Sequence, residues 1–332
     1  MATFLLEIGT EELPADFARL AVLELEKIVN HDLLQKRLKH ELIRCTSTPR
    51  RIVLLVEGLA NHAEDSAEVF KGPPASQAFE NGSPKKAALG FANRFGIDPS
   101  ELEIVDTPKG PFVFAKVLEH GASSKDLLIE MIPEWIGNIQ GRRFMRWGNG
   151  EQRFSRPVRW LVALLDETLV PFQLEGADPQ VASGNLSRGH RLHHDSVLIP
   201  SATEYDSTLR GVGVETDRQK RKCLISDLVN QAALELHAIP DLTDDLLEEL
   251  TDLVESPSII KGDFDVSFLD LPAEVLCTVM RVHQRYIPLY LENAYVDPLS
   301  LNARNKLLPN FLCICNGLST ANHIIKRGNE RV

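Results

Sequence analysis

The sequence predicts a multidomain α+β fold with mostly antiparallel or mixed sheets and packed helices. Apolar runs of strand length alternate irregularly with longer segments whose apolar residues recur at helical spacing. Clusters of Pro and Gly separate these segments. The 332 residues are enough for two or three domains with a sizeable core.

The composition is that of a soluble globular protein, with 43% hydrophobic and 25% charged residues. There is no apolar run of membrane-spanning length, and the N-terminus lacks the basic start of a signal peptide. Five cysteines at irregular spacing suit a reducing compartment, so we expect a cytoplasmic protein without membrane attachment. The net charge of -11 means that nucleic acid could bind only at local basic patches.

The N-terminal segment predicts a strand over residues 3–8 that stops at Gly9. Glu11, Glu12 and Pro14 follow, and these suit the positive N-terminal end of a helix. That helix is expected over residues 17–38, with a break near Asn30. Taken alone, this pattern also fits a plain core strand followed by a capped helix.

Residues 42–56 predict a pair of strands with a turn at Pro49, because proline cannot sit inside a central ladder. Arg50 and Arg51 follow this proline. They fit either a surface ion pair or a contact with RNA phosphate or another subunit.

A second, smaller unit is expected after Ala60. It comprises an extended loop at 71–74, a helical pattern at 75–95 that is interrupted at 81–84, and two strands within 102–117. Residues 124–139 return to helical spacing, although Pro133 interrupts them.

Residues 141–160 form the most basic stretch, with six arginines, one acid and four interleaved aromatic residues. Planar guanidinium groups suit phosphate, and aromatic rings offer stacking faces for bases. Packing of arginine stems on the tryptophans is the alternative, and residues 160–165 read as a buried strand. The candidate RNA-binding residues of this stretch are Arg142, Arg143, Arg146, Arg153 and Arg156.

Two further segments carry candidate residues. In residues 184–195, three histidines and an aspartate suggest zinc, but the set lacks cysteine and the adjacent His193 and His194 cannot easily share one ion. We therefore predict no metal site, and a hydrogen-bonded loop that positions Arg188, His190 and Arg191. Arg188 and Arg191 are also candidate RNA-binding residues. The predicted helix over 206–237 carries a basic cluster that fits RNA contact or a solvated face, formed by Arg218, Lys220, Arg221 and Lys222.

The remaining segments complete the α+β pattern. Residues 241–255 predict an acidic helix capped by Thr243 or a neighbouring aspartate, with a boundary at 256–257. A helix from residue 271 and strands at 286–291 and 309–316 follow. Cys313 and Cys315 are expected on one face of the last strand as small buried apolar groups, not as a zinc knuckle. The C-terminal end lacks a stopping pattern, so we expect the sequence to be an N-terminal piece of a longer protein.

Signatures of catalysis are missing from the sequence. It contains no phosphate-binding G-x-x-x-x-G-K-[ST], no G-x-G-x-x-G, no G-x-S-x-G and no synthetase ATP-site motif. We therefore predict no catalytic residue and no cofactor in this chain.

Eight short motifs, in order along the chain, resemble the N-terminal half of the β subunit of bacterial tetrameric glycyl-tRNA synthetase. They are Glu7-Ile-Gly-Thr-Glu-Glu-Leu-Pro14, Thr48-Pro-Arg-Arg51, Lys71-Gly-Pro-Pro74, Met145-Arg-Trp-Gly148, Phe154-Ser-Arg-Pro157, Arg188-Gly-His-Arg191, Leu308-Pro-Asn-Phe311 and Gly328-Asn-Glu-Arg-Val332. Residues 280–286 depart from the family, which tends to have a turn rich in Lys, Gly and Asp there.

The resemblance implies a non-catalytic partner in glycine–tRNA ligation. The catalytic α subunit would bind ATP, with its Mg²⁺, and glycine, while the β subunit would bind tRNA-Gly and assemble with α. The arrangement also weakly resembles the tRNA cradle of the amidotransferase B subunit. These resemblances imply a cradle-like body formed by residues 1–62 and 256–332, with an inserted unit over residues 63–255. The alternative is that this half is only an assembly scaffold without direct tRNA contact.

Overall fold

The computed structural model describes residues 1–332 except 81, 142–143, 149, 152, 175, 178, 193–194, 292–306 and 318–332. The described α-helices are α1 Ala15–Gln35, α2 Ala75–Ala78, α3 Lys86–Phe95, α4 Ser124–Asn138, α5 Tyr205–Gly211, α6 Arg218–Glu235, α7 Asp244–Leu253 and α8 Ala273–Thr278. Short 3-10 turns lie at Pro99–Glu101, Ala202–Glu204 and Val266–Asp270, and a π-helical turn at Val279–Gln284. None of the described helices is long and apolar enough to cross a membrane.

The strands fall into one large sheet and several small ones. In chain order they are β1 Ala2–Thr10, β2 Leu42–Thr48, β3 Arg51–Leu59, β4 Ser66–Pro74, β5 Phe79–Glu80, β6 Ser83–Pro84, β7 Glu103–Thr107, β8 Gly110–Glu119, β9 Met145–Arg146, β10 Arg153–Phe154, β11 Val158–Leu165, β12 Thr168–Leu169, β13 Gln173–Leu174, β14 Val181–Gly184, β15 Leu186–Arg188, β16 Ser196–Leu198, β17 Ala238–Pro240, β18 Pro257–Asp263, β19 Tyr286–Leu291 and β20 Leu307–Asn316. The predicted α+β class with antiparallel and mixed sheets is confirmed.

Strand β1 lies in the middle of the large sheet, whose order is β13-β14-β11-β1-β3-β2 with β12 beside β11. Its neighbours β3 and β11 both run antiparallel to it, and β14 is parallel to β11. Both faces of β1 are covered, as its apolar run requires. Leu5 packs with Val53 and Tyr205, while Phe4 contacts the Trp135 ring at 6.3 Å.

A second sheet has the order β17-β19-β20-β18, and all its pairs are antiparallel. Helices α6 and α7 cover one face through a core that includes Ile225, Leu250 and Leu312. Helix α7 begins as the sequence predicts, because the Thr243 hydroxyl accepts a hydrogen bond from the Leu246 amide at 3.3 Å.

By residue contacts the chain forms two compact units. One comprises residues 1–32, 40–59 and the chain from Leu128 onward, and the other comprises 33–39 and 60–127. The smaller unit packs the β4-β8-β7 sheet against α2 and α3 around Ala88, Ala92 and Val113. Residues 128–255 thus group with the larger unit, whereas the sequence-based division assigns them to the insert; that division stays a prediction.

The strand pair at Pro49 is confirmed as the β2–β3 hairpin. Two helix predictions are wrong in detail. Helix α1 continues through Asn30 without a break. The helix expected over 206–237 is two helices, because Gly213 adopts a φ of +77° between α5 and α6.

Candidate functional site

Several sequence motifs meet where β1 ends. Gly9 pairs with Arg51 of β3 on one side and with Trp160 of β11 on the other. A Cβ on Gly9 would lie 1.9 Å from the Trp160 ring, so only glycine lets the indole cross the strand here. The glycine of the first motif therefore serves close packing of the tryptophan.

Beneath this crossing lies a buried ionic group, here called the Arg51 cluster: Glu7, Thr48, Arg51, Ser187 and Glu255. The Arg51 guanidinium donates to Glu7 and to Glu255, each at 3.1 Å, and all three side chains are 0% exposed. It also donates to the Ser187 hydroxyl at 3.3 Å, and Thr48 donates to Glu255 at 2.6 Å. Buried charges persist only when they are paired and hydrogen-bonded. Each of the three charged groups has at least one such partner, although one oxygen of each carboxylate is buried without a hydrogen bond.

Glu7 is the acceptor that joins three separate parts of the chain. Its Oε1 atom accepts hydrogen bonds from Arg51, from the Ser187 hydroxyl at 2.8 Å, and from the Trp160 indole N–H at 2.8 Å. The carboxylate thus fixes the tryptophan ring as well as the arginine.

Electrostatic interactions favour the charged forms of Arg51 and Glu255. Burial would lower the pKa of Arg51, but the carboxylates of Glu255 and Glu7 more than offset it and raise this pKa. Burial would likewise raise the pKa of Glu255, yet Arg51, the Thr48 hydrogen bond and Arg50 bring it below its usual value. Groups that stay charged near neutral pH suit a positioning role and are poor proton donors or acceptors there.

Two arginines lie against the Trp160 ring outside the cluster. The guanidinium carbon of Arg188 is 4.9 Å from the ring centroid, and that of Arg50 is 5.6 Å. Arg188 is exposed and Arg50 half-buried. Trp160, Arg188 and Arg159 also line a cleft of about 520 Å³, together with Gln180 and Asn185. We call Arg50, Trp160 and Arg188 the arginine–tryptophan stack.

The acidic turn after β1 neutralises neighbouring arginines. Glu11 accepts from Arg159 at 2.8 Å, and Glu12 accepts from Arg191. These four side chains are exposed or half-exposed, so each pair contributes little to stability. Of the Arg188–Arg191 segment, Arg191 is therefore paired and Arg188 stacks on tryptophan.

Two phenylalanines of the basic stretch form an aromatic cluster with Phe17 of α1. Phe17 contacts Phe144 and Phe154 edge-on, each at 5.6 Å between ring centroids. Arg146 pairs with Glu151 at 2.9 Å, Arg153 is exposed, and Arg156 donates to the carbonyl of Ser155. The candidates Arg142 and Arg143 lie outside the described residues.

Two cations of the basic cluster on α6, Arg218 and Lys222, form ion pairs with acidic side chains of α7. Arg218 donates to Asp252 at 2.7 Å and to Glu248 at 2.5 Å, and Lys222 also pairs with Glu248. Hydrogen bonds from Lys222 and Arg218 lower the pKa of Glu248 to about 2. Lys220 alone among these cations is well exposed, 3.6 Å from Asp217.

Arg221 is completely buried, and its burial lowers its pKa to about 10. Its guanidinium donates to backbone carbonyls, including those of Ser47 at 2.7 Å and Glu215 at 2.7 Å. Like Arg51, it is engaged by the protein itself and offers no surface for RNA.

His190 is buried and takes part in a hydrogen-bonded group. Its Nε2 atom is 2.9 Å from the Asn316 side-chain oxygen, which also accepts from the amides of Glu255 and Ser256 at 3.0 Å. No group of three or more potential metal ligands occurs among the residues that the structure describes. His193 and His194 are outside those residues.

Sequence reasoning missed Glu7, Ser187 and Glu255 as members of a site. A detectable signal existed for Glu7, because it is a carboxylate inside an apolar strand and must find a cation there. The basic cluster on α6 and the acidic sequence of α7 were a second detectable signal, since they indicated that the two helices form ion pairs with each other.

A family model described as glycyl-tRNA synthetase beta subunit matches residues 4–332. The chain is 42% identical to the glycine–tRNA ligase beta subunits of Acaryochloris marina and of Synechocystis sp., in each case over 333 residues. That of Gloeothece citriformis is also 42% identical. These alignments cover 100% of this chain and 45% or 46% of each relative, so the chain spans about half the length of the curated relatives it matches. The chain belongs to the glycyl-tRNA synthetase beta subunit family.

Proposed function

We propose that this chain supports glycyl-tRNA synthesis without carrying the catalytic residues, by contacting tRNA-Gly and assembling with a catalytic α subunit. Family membership supports the reaction, and the lack of nucleotide-binding motifs in the sequence supports the non-catalytic role. ATP and Mg²⁺ would then be bound by the α subunit, not by this chain.

The observation that carries the tRNA part of the proposal is the arginine–tryptophan stack. Arg188 lines the cleft, and both Arg188 and Arg50 carry positive charge against a ring that Glu7 fixes by a 2.8 Å hydrogen bond. Arginines that are held in place lose little freedom on binding phosphate, and their planar groups bind it in two-pronged fashion. The exposed Arg153 and the half-buried Arg156 would extend this surface.

The proposed RNA surface leaves out the buried and paired candidates. Arg51 and Arg221 are 0% exposed, and Arg218 and Lys222 are engaged by the acids of α7. Arg51 and Arg221 could reach a phosphate only if the fold changed.

The test is a tRNA-Gly titration of the protein at its natural length, assembled with the α subunit, at two salt concentrations. We compare wild type with R50Q/R188Q and with K86A, which removes an exposed charge from α3. The R50Q/R188Q variant should bind more weakly, and its salt slope should fall by roughly one for each phosphate that the arginines no longer neutralise. The K86A variant should bind like wild type. An affinity and a slope for R50Q/R188Q that equal those of wild type would reject the RNA contact.

A second candidate function, an assembly scaffold, is favoured by the internal neutralisation of the basic residues. Arg159, Arg191 and Arg218 all have carboxylate partners within the chain. If this function holds, R50Q/R188Q would leave tRNA affinity unchanged and lower the fraction of β subunit that sediments with α.

A further inference from the structure

Strand β20 presents two thiols side by side. Cys313 and Cys315 are two residues apart in the strand, so their side chains lie on the same face. Their Sγ atoms are 3.8 Å apart. Cys315 is 4% exposed and Cys313 is half-buried. Cys277 is engaged elsewhere, 3.1 Å from the Tyr290 hydroxyl.

The spacing fits one thiophilic atom held between both sulfurs. A pyramidal trivalent centre that lies about 2.3 Å from each of two sulfurs, at an angle of roughly 100°, holds them about 3.5 Å apart, only slightly closer than the 3.8 Å seen here. Structural zinc requires four protein ligands, and catalytic zinc three. Among the described residues no third ligand joins this pair. The site therefore suits a centre that needs two thiolates and brings its own third substituent.

This geometry favours a disulfide between Cys313 and Cys315 less than it favours an atom shared by both sulfurs. Residues two apart in an extended strand have Cα atoms about 6.6 Å apart, near the upper end of the range found in disulfides. The sulfurs would also have to close to about 2.05 Å. The backbone cannot easily follow, because Cys313 is paired with Ile260 on one side and with Tyr286 on the other.

We propose that Cys313 and Cys315 form a dithiol site that chelates a monosubstituted trivalent arsenical. Both S–H bonds break and two As–S bonds form, while the arsenic loses its oxygen. The two thiol protons leave with that oxygen as one water molecule. Arsenic stays trivalent throughout, so the step requires neither an oxidant nor a reductant.

The closeness of the two sulfurs favours a chelate over attachment to a single thiol. The contact between the sulfurs lowers the pKa of the Cys315 thiol and raises that of Cys313. Once one sulfur is bonded to arsenic, the other closes the ring within the same molecule, which gives the chelate its advantage over binding to a single thiol.

The test uses phenylarsine oxide on the protein at its natural length, followed by washing with excess 2-mercaptoethanol and peptide mass mapping. Wild type should retain one arsenical on the peptide that carries β20, and dithiothreitol should remove it. In C313S and in C315S, retention should fall by a factor of roughly ten or more, because only one As–S bond remains.

Matched controls are C223S, which removes an exposed cysteine on α6, and C277S. Both should retain the adduct on β20. The dithiothreitol reversal is measured on unmodified wild type, so it does not depend on any variant folding. The proposal fails if wild type loses the arsenical to the monothiol wash, if C313S and C315S keep it, or if C277S loses it.

Discussion

Replacing Arg51 by methionine tests whether the Arg51 cluster holds the end of β1 in place. Methionine keeps much of the side-chain volume but removes the charge between Glu7 and Glu255. Both carboxylates are 0% exposed and would remain buried without their 3.1 Å partner. Breaking a buried pair in this way costs about 3–5 kcal/mol of unfolding free energy.

The assay is urea unfolding of the protein at its natural length, followed by tryptophan fluorescence. Trp160 donates to Glu7, so its share of the emission, beside that of Trp135 and Trp147, reports on this region. The matched control is R191M, which removes an exposed arginine paired with Glu12 and should cost about 0–1 kcal/mol.

A triple variant, R51M/E7Q/E255Q, separates charge from packing. It removes the two stranded carboxylates together with the arginine, so it should regain part of the stability that R51M loses. If R51M costs no more than R191M, the buried ion group is not what stabilises this end of the sheet. That result would refute the reasoning.

Two further predictions concern the same region. The substitution G9A should lower the unfolding free energy by about 1–3 kcal/mol or more and shift the fluorescence of Trp160, since its Cβ would lie 1.9 Å from that ring. The control G90A, on an open helix surface, should be neutral or slightly stabilising, and equal effects would contradict the packing argument. The substitution E255Q should flatten the acid side of the stability curve. The folded-state pKa of Glu255 lies below its usual 4.5, so its contribution is present above that value and is lost as the pH falls through the folded pKa. Unfolding free energies from about pH 7 to about pH 3 measure this, and equal slopes in wild type and E255Q would contradict it.

The local elements could largely be predicted because their signals are local. The strand at the N-terminus, the turn at Pro49 and the cap at Thr243 depend on neighbouring residues only, and the structure confirms them. The uninterrupted α1 shows the limit of such reasoning. Helical residues on both sides of Asn30 outweigh its weak individual preference.

The role of Arg51 could not be predicted in the same way. Its position beside Arg50 suggested a surface residue, but its partners Glu7 and Glu255 lie 44 and 204 residues away in the chain. Which acid reaches it depends on the pairing of β1 with β3 and on the entry of β18 into the second sheet. Pairings between distant strands leave no spacing pattern in the sequence.

The two readings of the arginines, structural or RNA-binding, need not exclude each other. The interior arginine, Arg51, orients Glu7, and Glu7 orients Trp160 through its indole N–H. The exposed Arg188 stacks on this ring. Loss of Arg51 should therefore appear first in stability, while loss of Arg188 should appear in the salt dependence of tRNA binding with stability unchanged. A salt slope that changes only when stability also changes would mean that the stack supports the fold and does not bind RNA.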